Sequence, residues 1–329
     1  LNRNGFYTDI SGVLVTGASG FLAIHCVKLL LKEGYKVKAT VRNIKNENKI
    51  RYLQDFQSAG HQLEIVEAEL EDENIWHHVV NDCIYIMHIA SPCQIIADES
   101  IIKTAVDGTL NVLKAAYRSK TVKKVVLTSS CAGYNEPNRI FTETDWANLN
   151  GKNVHPYHQS KTLAERSAWD FIESHPDINF KFTVLNPSII VGPLMQDRKG
   201  ASAELISRFV DGSMLALPKI NCGFVDVDDV ATIHIRALKE PKSNGQRILL
   251  SAKSYSFKEI AEILRKEFSL GYRIPRFKAP YLLLWLYSFF DIAARQALYL
   301  HGHKEKFDTS KVVFSLTFYI WLKIFFFKS

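Results

Sequence analysis

The stretch Val13-Leu-Val-Thr-Gly-Ala-Ser-Gly-Phe-Leu-Ala23 indicates a turn between a strand and a helix. Gly17 permits a tight turn, Gly20 lets the backbone approach a pyrophosphate, and Ala23 allows close contact between helix and strand. Because the amino terminus of a helix attracts anions, the stretch predicts a dinucleotide site. The alternative is a glycine turn that binds no ligand.

Around this stretch, short apolar runs alternate with helical patterns through the first two-thirds of the chain. Strands are predicted at 13–15, 35–41, 63–66, 83–89, 124–128 and 182–185, and helices at 21–33, 48–59, 73–80, 99–119 and 157–174. Such alternation is typical of an α/β fold, a Rossmann-type doubly wound parallel sheet with helices on both faces.

After residue 187 the pattern loosens, which predicts a small carboxyl-terminal lobe for substrate. Helices are expected at 203–211, 228–239 and 257–267, and strands near 223–225 and 246–250. We divide the chain into a dinucleotide-binding domain that includes the catalytic residues, a mainly substrate-binding lobe and an atypical apolar tail. Their ranges are 10–190, 191–311 and 312–329.

The composition is that of a globular protein, with 47% hydrophobic and 23% charged residues among 329. The net charge of +7 comes from scattered Lys and Arg, so no nucleic-acid partner is expected. Five cysteines without a Cys-x-x-Cys pair indicate a reducing compartment, which we take to be the cytoplasm. The histidine pairs lack companion ligands, so no metal site is predicted.

Two late segments are strongly apolar. The run 281–290 continues into charged residues, which favours a partly buried helix over a membrane span. The run 312–327 is interrupted by Lys323 and falls short of the roughly 20 residues that cross a bilayer. Membrane association is therefore not expected, and the alternatives for the tail are a weak carboxyl-terminal anchor or a non-native end.

The end of the second predicted strand indicates which nicotinamide cofactor is bound. NAD-selective folds commonly place an acid about 20 residues beyond the glycines, to bind the ribose 2′-hydroxyl. Here the strand ends Ala39-Thr-Val-Arg42, and a guanidinium can hold a 2′-phosphate. With Lys49 as a second positive charge, NADPH is the predicted cofactor. The alternative is that Arg42 is simply solvated.

A tyrosine and a lysine four residues apart, Tyr157 and Lys161, lie on one face of a predicted helix. A free tyrosine titrates near pH ~10, and a neighbouring ammonium would lower that pKa toward neutrality. Thr128-Ser-Ser130 ends a strand, and its hydroxyls can bind a carbonyl oxygen on which negative charge develops. The alternative is an ordinary amphipathic helix.

Taken together, the motifs resemble those of extended short-chain dehydrogenases/reductases, in the group containing dihydroflavonol reductase, cinnamoyl-CoA reductase and fungal aldehyde/ketone reductases. The similarity runs from about residue 13 to about residue 311. Its motifs, beyond the glycine stretch, are Ala-Thr-Val-Arg (39–42), His-Ile-Ala-Ser-Pro (88–92), Asp-Gly-Thr-Leu-Asn-Val-Leu-Lys-Ala-Ala (107–116), Val-Val-Leu-Thr-Ser-Ser (125–130), Tyr-His-Gln-Ser-Lys-Thr-Leu-Ala-Glu (157–165), Asn-Pro-Ser-Ile-Ile-Val-Gly-Pro (186–193) and Phe-Val-Asp-Val-Asp-Asp-Val-Ala (224–231).

The resemblance implies that Tyr157 is the general acid, that Lys161 binds the nicotinamide ribose, and that Ser130 orients the carbonyl. It also implies substrate contacts by Ser130, Asn135 and Tyr157. The expected cofactor contacts are Gly17, Ser19, Gly20, Phe21, Leu22, Arg42, Lys49, Glu69, Leu70, Ala90, Ser91, Thr128, Tyr157, Lys161, Pro187 and Ile190. The sequence departs from the family's pattern at two places. Glu69 stands where the family usually has Asp, and the family's closing helix and strand are expected to be absent beyond Lys311.

The expected function is NADPH-dependent reduction of an aldehyde or ketone, dihydroflavonol-like or otherwise bulky and aromatic, to the alcohol. One alternative is oxidation of a secondary alcohol, as in the similar 3β-hydroxysteroid dehydrogenases, for which the late apolar segments would suit a membrane-facing enzyme. The other is a non-catalytic NADPH-binding sensor or scaffold. The expected partner is a small carbonyl compound, and the protein is expected to be a monomer or a homodimer.

Overall fold

The computed structural model describes residues 12–93, 98–133, 139–150, 154–195, 200–268, 271–302, 304–316 and 318. Asn135, expected to contact substrate, lies outside the described residues.

A seven-stranded parallel sheet forms the centre of the molecule. Its strands are β1 (Gly12–Val15), β2 (Lys36–Val41), β3 (Leu63–Glu67), β4 (Tyr85–His88), β5 (Lys124–Thr128), β6 (Lys181–Pro187) and β9 (Gln246–Leu250). Their spatial order is β3-β2-β1-β4-β5-β6-β9, and the order reverses at β1. Because ligands bind beyond the carboxyl ends of strands at such a reversal, the topology places a site at the ends of β1 and β4. The predicted α/β fold is confirmed.

Helices cover both faces of this sheet, as the sequence predicted. One face carries α1 (Phe21–Lys32), α2 (Glu47–Ser58), α7 (Val227–Lys239) and α11 (Ser310–Leu316), and the other carries α3 (Glu73–Val79), α4 (Ser100–Arg118) and α5 (Pro156–Ser174). The central strands β1, β4, β5 and β6 are buried on both faces, which explains their apolar runs, whereas the edge strand β3 leaves Glu64 and Glu67 exposed.

A second, three-stranded sheet stands beside the first. It consists of β7 (Ile189–Val191), β8 (Asn221–Asp226) and β10 (Lys253–Ser256), and it packs with α6 (Ala201–Val210) and α8 (Phe257–Glu267). The aromatic rings of Phe209 and Phe257 meet edge to face at 5.1 Å in its core. Two further helices, α9 (Tyr281–Tyr287) and α10 (Ile292–Tyr299), follow. The division of the chain at residue 190 stays a prediction.

One expectation about the carboxyl-terminal part was wrong. The closing helix was expected to be absent beyond Lys311, but α11 forms there and buries Val312 and Leu316 against the sheet. The partly buried helix predicted within 281–290 is confirmed as α9, in which Leu284 is buried and the other six residues are exposed. None of the helices within the described ranges is long and apolar enough to cross a bilayer.

Candidate active site

The glycine turn has the backbone shape of an anion site. Gly17 has a φ of 65°, and a Cβ placed there would stand 2.9 Å from the Cβ of Ala90, so no larger residue fits. The Gly17 amide donates to Oγ1 of Thr40 at 3.1 Å, which fixes the turn on β2. Helix α1 begins directly after Gly20, and no side chain caps its first amides. These amides point to where a dinucleotide's phosphates would bind, so the residues fit that group.

Thr16 joins the carboxyl ends of β1 and β4, a role the sequence did not reveal. Its hydroxyl oxygen accepts from the amides of Ile89 and Ala90, at 3.0 and 2.9 Å, and lies 2.9 Å from Nδ1 of His88. Burial and the nearby Lys161 ammonium lower the pKa of His88 to about 3, so its ring is neutral and Nδ1 accepts the Thr16 proton. This arrangement holds Ala90 against the glycine turn.

Three of the predicted cofactor residues meet in an open pocket at the ends of β2 and β3. Arg42 and Glu69 are exposed there, and Lys49 is half-buried. The other lining residues are Asn43, Lys45, Asn46 and Glu67. Three cationic and two acidic side chains therefore share the pocket in which a 2′-phosphate was predicted. Leu70 lies outside this pocket and packs against α4. A Cβ added at Gly108 of that helix would lie 2.8 Å from the Cβ of Leu70.

The predicted catalytic residues converge at the carboxyl end of β5. Helix α5 begins at Pro156, which is favourable at a first helical position, so Tyr157 and Lys161 stand in its first turns. The hydroxyl of Tyr157 lies close to the side chain of Ser130, just beyond β5, and to the thiol of Cys93, a neighbour that the sequence did not predict. Lys161 is buried, with 8% of its surface exposed.

The electrostatics of this group differ from the expectation. Burial raises the pKa of Tyr157 well above its ordinary value, the Cys93 thiol adds to the rise, and the hydrogen bond from Ser130 opposes it. Burial lowers the pKa of Lys161, against the opposing influence of Cys93 and Glu165. The spacing of tyrosine and lysine had suggested a lowered tyrosine pKa, but burial of the hydroxyl raises this pKa by more than Ser130 lowers it. Tyr157 therefore keeps its proton at neutral pH.

Of the three hydroxyls in Thr128-Ser-Ser130, only that of Ser130 faces Tyr157. The Thr128 hydroxyl lies 2.7 Å from Nε2 of the buried His234, and Ser129 donates to Oε2 of Glu165 at 2.6 Å. Burial lowers the pKa of His234 to about 4, so this ring is neutral and Nε2 accepts from Thr128. The hydroxyls of Thr128 and Ser129 are thus bonded within the protein, and the cofactor contact expected of Thr128 stays a prediction.

Glu165 lies one helical turn after Lys161 and is the centre of a buried polar network behind the predicted catalytic residues. Its carboxylate is 2% exposed, and it accepts from Asn186 Nδ2 at 2.7 Å and from Arg247 Nε at 2.5 Å. The same Asn186 amide approaches the carbonyl oxygen of Ser130 at 3.4 Å. Arg247 also donates to the carbonyl oxygens of Glu143 and Asp145, at 2.5 and 2.9 Å. One carboxylate thus connects α5, the strand that precedes Ser130, and the loop 139–150.

The remaining predicted contacts lie at the start of α1 and near the ends of β4, β6 and β7. Ser19 and Phe21 are half-buried at the start of α1, whereas Leu22 is buried in the core. Ser91 and Ile190 are half-buried near the ends of β4 and β7, and Pro187 is buried at the end of β6.

A family model describes this arrangement. Residues 13–250 match the model of the NAD dependent epimerase/dehydratase family, which is well over half of the chain. The chain belongs to that family. The match spans the glycine turn, the Ser130, Tyr157 and Lys161 group, and the last strand of the large sheet.

Similar proteins of this family are reductases. The tetraketide alpha-pyrone reductase 2 of Arabidopsis thaliana is 35% identical over 274 residues, which cover 79% of this chain and 83% of the relative. The cinnamoyl-CoA reductase CAD2 of Medicago truncatula is 36% identical over 266 residues, covering 77% and 80%. This member of the family is an NAD(P)-dependent oxidoreductase acting on carbonyl or alcohol groups.

Solved structures give the same result. The yeast methylglyoxal/isovaleraldehyde reductase Gre2, complexed with NADPH, superposes with a TM-score of 0.76 at 26% identity, covering 95% of this chain and 94% of its own. Vestitone reductase from alfalfa (Medicago sativa L.) superposes with a TM-score of 0.74 at 25% identity, covering 95% and 94%. The similarity therefore extends beyond the cofactor domain into the carboxyl-terminal part.

Proposed function

We propose that this chain reduces an aldehyde or ketone to the alcohol with NADPH, and that Tyr157 is the proton donor. The observation that carries the proposal is the proximity of the Tyr157 hydroxyl and the Ser130 side chain beside the buried Lys161. This group stands at the carboxyl edge of the sheet that also holds the glycine turn. Two related structures of this kind contain NADPH. When bound, NADPH supplies the hydride that adds to the carbonyl carbon.

The protein's own groups bind and polarise the carbonyl. Ser130 donates a hydrogen bond to the carbonyl oxygen, where negative charge develops. Tyr157 then gives that oxygen the proton it holds, and the Lys161 ammonium stabilises the phenolate that remains. Neutral His88 adds no competing positive charge behind Lys161.

The protonation state of Tyr157 favours reduction over the oxidative alternative. Oxidation of a secondary alcohol requires a phenolate to accept the alcohol proton, and burial raises the Tyr157 pKa well above its ordinary value. Reduction requires the protonated phenol, which this environment favours. A binding-only sensor would have no need for a serine, a tyrosine and a lysine assembled around one point.

NADPH is favoured over NADH by the pocket that holds Arg42. Arg42, Lys45 and Lys49 provide three cations where the adenosine 2′-phosphate would lie, and guanidinium groups bind phosphate through paired hydrogen bonds. The substrate class follows from the relatives, among them reductases of cinnamoyl-CoA and dihydroflavonol. We infer a bulky, aromatic carbonyl compound.

The test is the variant Tyr157→Phe, assayed with a panel of aromatic and aliphatic aldehydes and ketones. Removal of the proton donor should lower kcat about 10²- to 10⁴-fold. Binding of NADPH, followed by nicotinamide fluorescence, should be unchanged and much tighter than binding of NADH. The matched control is Tyr52→Phe, since Tyr52 is a surface tyrosine of α2. Full turnover by Tyr157→Phe would show that another group supplies the proton.

A further inference from the structure

The segment 271–290 exposes an unusual amount of apolar surface. Its sequence, Gly-Tyr-Arg-Ile-Pro-Arg-Phe-Lys-Ala-Pro-Tyr-Leu-Leu-Leu-Trp-Leu-Tyr-Ser-Phe-Phe, contains three basic residues and no acidic residue. We call its ten exposed large apolar side chains the apolar patch: Tyr272, Phe277, Tyr281, Leu282, Leu283, Trp285, Leu286, Tyr287, Phe289 and Phe290. Large contiguous patches of this kind are rare on soluble monomers and mark interaction surfaces.

Helix α9 explains why so much of the patch faces outward. Leu284 and Ser288 are buried one helical turn apart, so a single narrow stripe attaches this region to the protein. The side chains around that stripe remain exposed, from 39% at Tyr287 to 87% at Phe290. Packing among the residues that the structure describes therefore does not account for the apolar composition of the helix.

Exposed basic residues border the patch. Arg273, Arg276 and Lys278 precede α9, and Lys278 pairs in a β-bridge with Leu217, two residues from the exposed Lys219. We call these four cations the basic fringe. The acidic residue that follows the patch, Asp291, is ion-paired with Arg208 at 3.0 Å. The surface thus combines exposed leucine and aromatic side chains with positive charge.

We propose that the apolar patch and the basic fringe dock this protein on a bilayer surface that contains anionic lipid, with α9 lying in the plane of the headgroups. Trp and Tyr prefer the membrane interface, and Leu and Phe enter the acyl boundary below it. Lys and Arg attract anionic headgroups. This is attachment from one side of the membrane, and it does not depend on the proposed reaction.

Charge favours a lipid surface over a second copy of the chain. A twofold dimer would place the same patch against itself, and the two basic fringes would then face each other. Like charges brought together in this way oppose association, whereas the same charges strengthen contact with an anionic surface.

The experiment is flotation of the full chain with vesicles of phosphatidylcholine alone or with phosphatidylserine added. Binding is expected only to the anionic vesicles and should weaken as salt is raised. The double variant Leu282→Ser/Leu283→Ser should lose binding at least tenfold, and Lys278→Gln should lose about fivefold. The matched control is Ile140→Ser/Phe314→Ser, which removes two exposed apolar side chains elsewhere, at 59% and 75% exposure. NADPH binding and thermal unfolding show whether each variant is folded.

Three outcomes would overturn the proposal. The first would be that the wild-type chain fails to float with anionic vesicles. The second would be that the folded Leu282→Ser/Leu283→Ser variant floats as well as the wild type. The third is a dimer in light scattering that the Leu282→Ser/Leu283→Ser change dissociates, which would identify a second copy as the occupant.

Discussion

The polar network around Glu165 and the segment 271–290 place charged and apolar side chains in opposite environments. Near Ser130, the Glu165 carboxylate has 2% of its surface exposed and accepts hydrogen bonds from Arg247, Asn186 and Ser129. In the segment, Phe290 leaves 87% of its surface in water. A buried charge is tolerated only with partners, so changes in the first region should affect stability and turnover together. Changes on the exposed patch should leave both nearly unaffected.

The largest expected effect on stability follows from removing one partner of the buried ion pair between Arg247 and Glu165. Arg247→Met leaves the Glu165 carboxylate buried without its cation, and we expect a loss of about 3–5 kcal/mol in the free energy of unfolding. Urea denaturation measures this loss. Turnover should fall as well, because the same network approaches the Ser130 carbonyl through Asn186.

Glu165→Gln and the double variant complete a thermodynamic cycle with Arg247→Met. If the two side chains act as a pair, the loss in the double variant should be well below the sum of the single losses. Additive losses would contradict the coupling. Glu173→Gln is the matched control, because Glu173 is exposed on the same helix and should change stability by less than about 0.5 kcal/mol.

The same contrast explains what the sequence could predict. The glycine turn and the Tyr157 and Lys161 pair are local patterns, so their places and the strands and helices around them follow from residue types and spacing alone. The role of Glu165 depends on partners 36, 21 and 82 positions away in the chain, and only the fold brings these together. The exposure of α9 was unpredictable for the opposite reason, since an apolar run usually indicates a buried helix.

A second carboxyl group, that of the half-buried Glu305, extends the comparison to pH dependence. The Gly223 amide donates to it at 3.0 Å, yet burial outweighs this bond and raises its pKa from 4.5 to about 7. The folded state therefore holds a proton that the unfolded state releases, so the free energy of unfolding falls as pH rises from about 4.5 to about 7. The loss attributable to Glu305 is about 3 kcal/mol and is complete above about pH 7.

Glu305→Gln isolates this contribution, because glutamine cannot ionise and the buried histidines titrate alike in both proteins. Urea unfolding of the two proteins at about pH 5 and about pH 7.5 should show the wild type losing stability relative to the variant as pH rises. A constant difference between them at both pH values would mean that Glu305 ionises as freely in the folded protein as in the unfolded chain.

The smallest expected effects on stability come from two leucines on different sides of α9. Leu284 is 7% exposed and attaches the helix to the lobe, so Leu284→Ala should lower the free energy of unfolding by about 2 kcal/mol. Leu282, two positions earlier, is 64% exposed, and Leu282→Ala should change it by less than about 0.5 kcal/mol. Thermal unfolding of the two variants measures this difference. Both variants carry the same chemical change in the same helix, so they differ only in the burial of the leucine. Equal losses would mean that Leu282 packs against the protein in solution, and the patch would then be part of the core rather than a surface kept exposed for a partner.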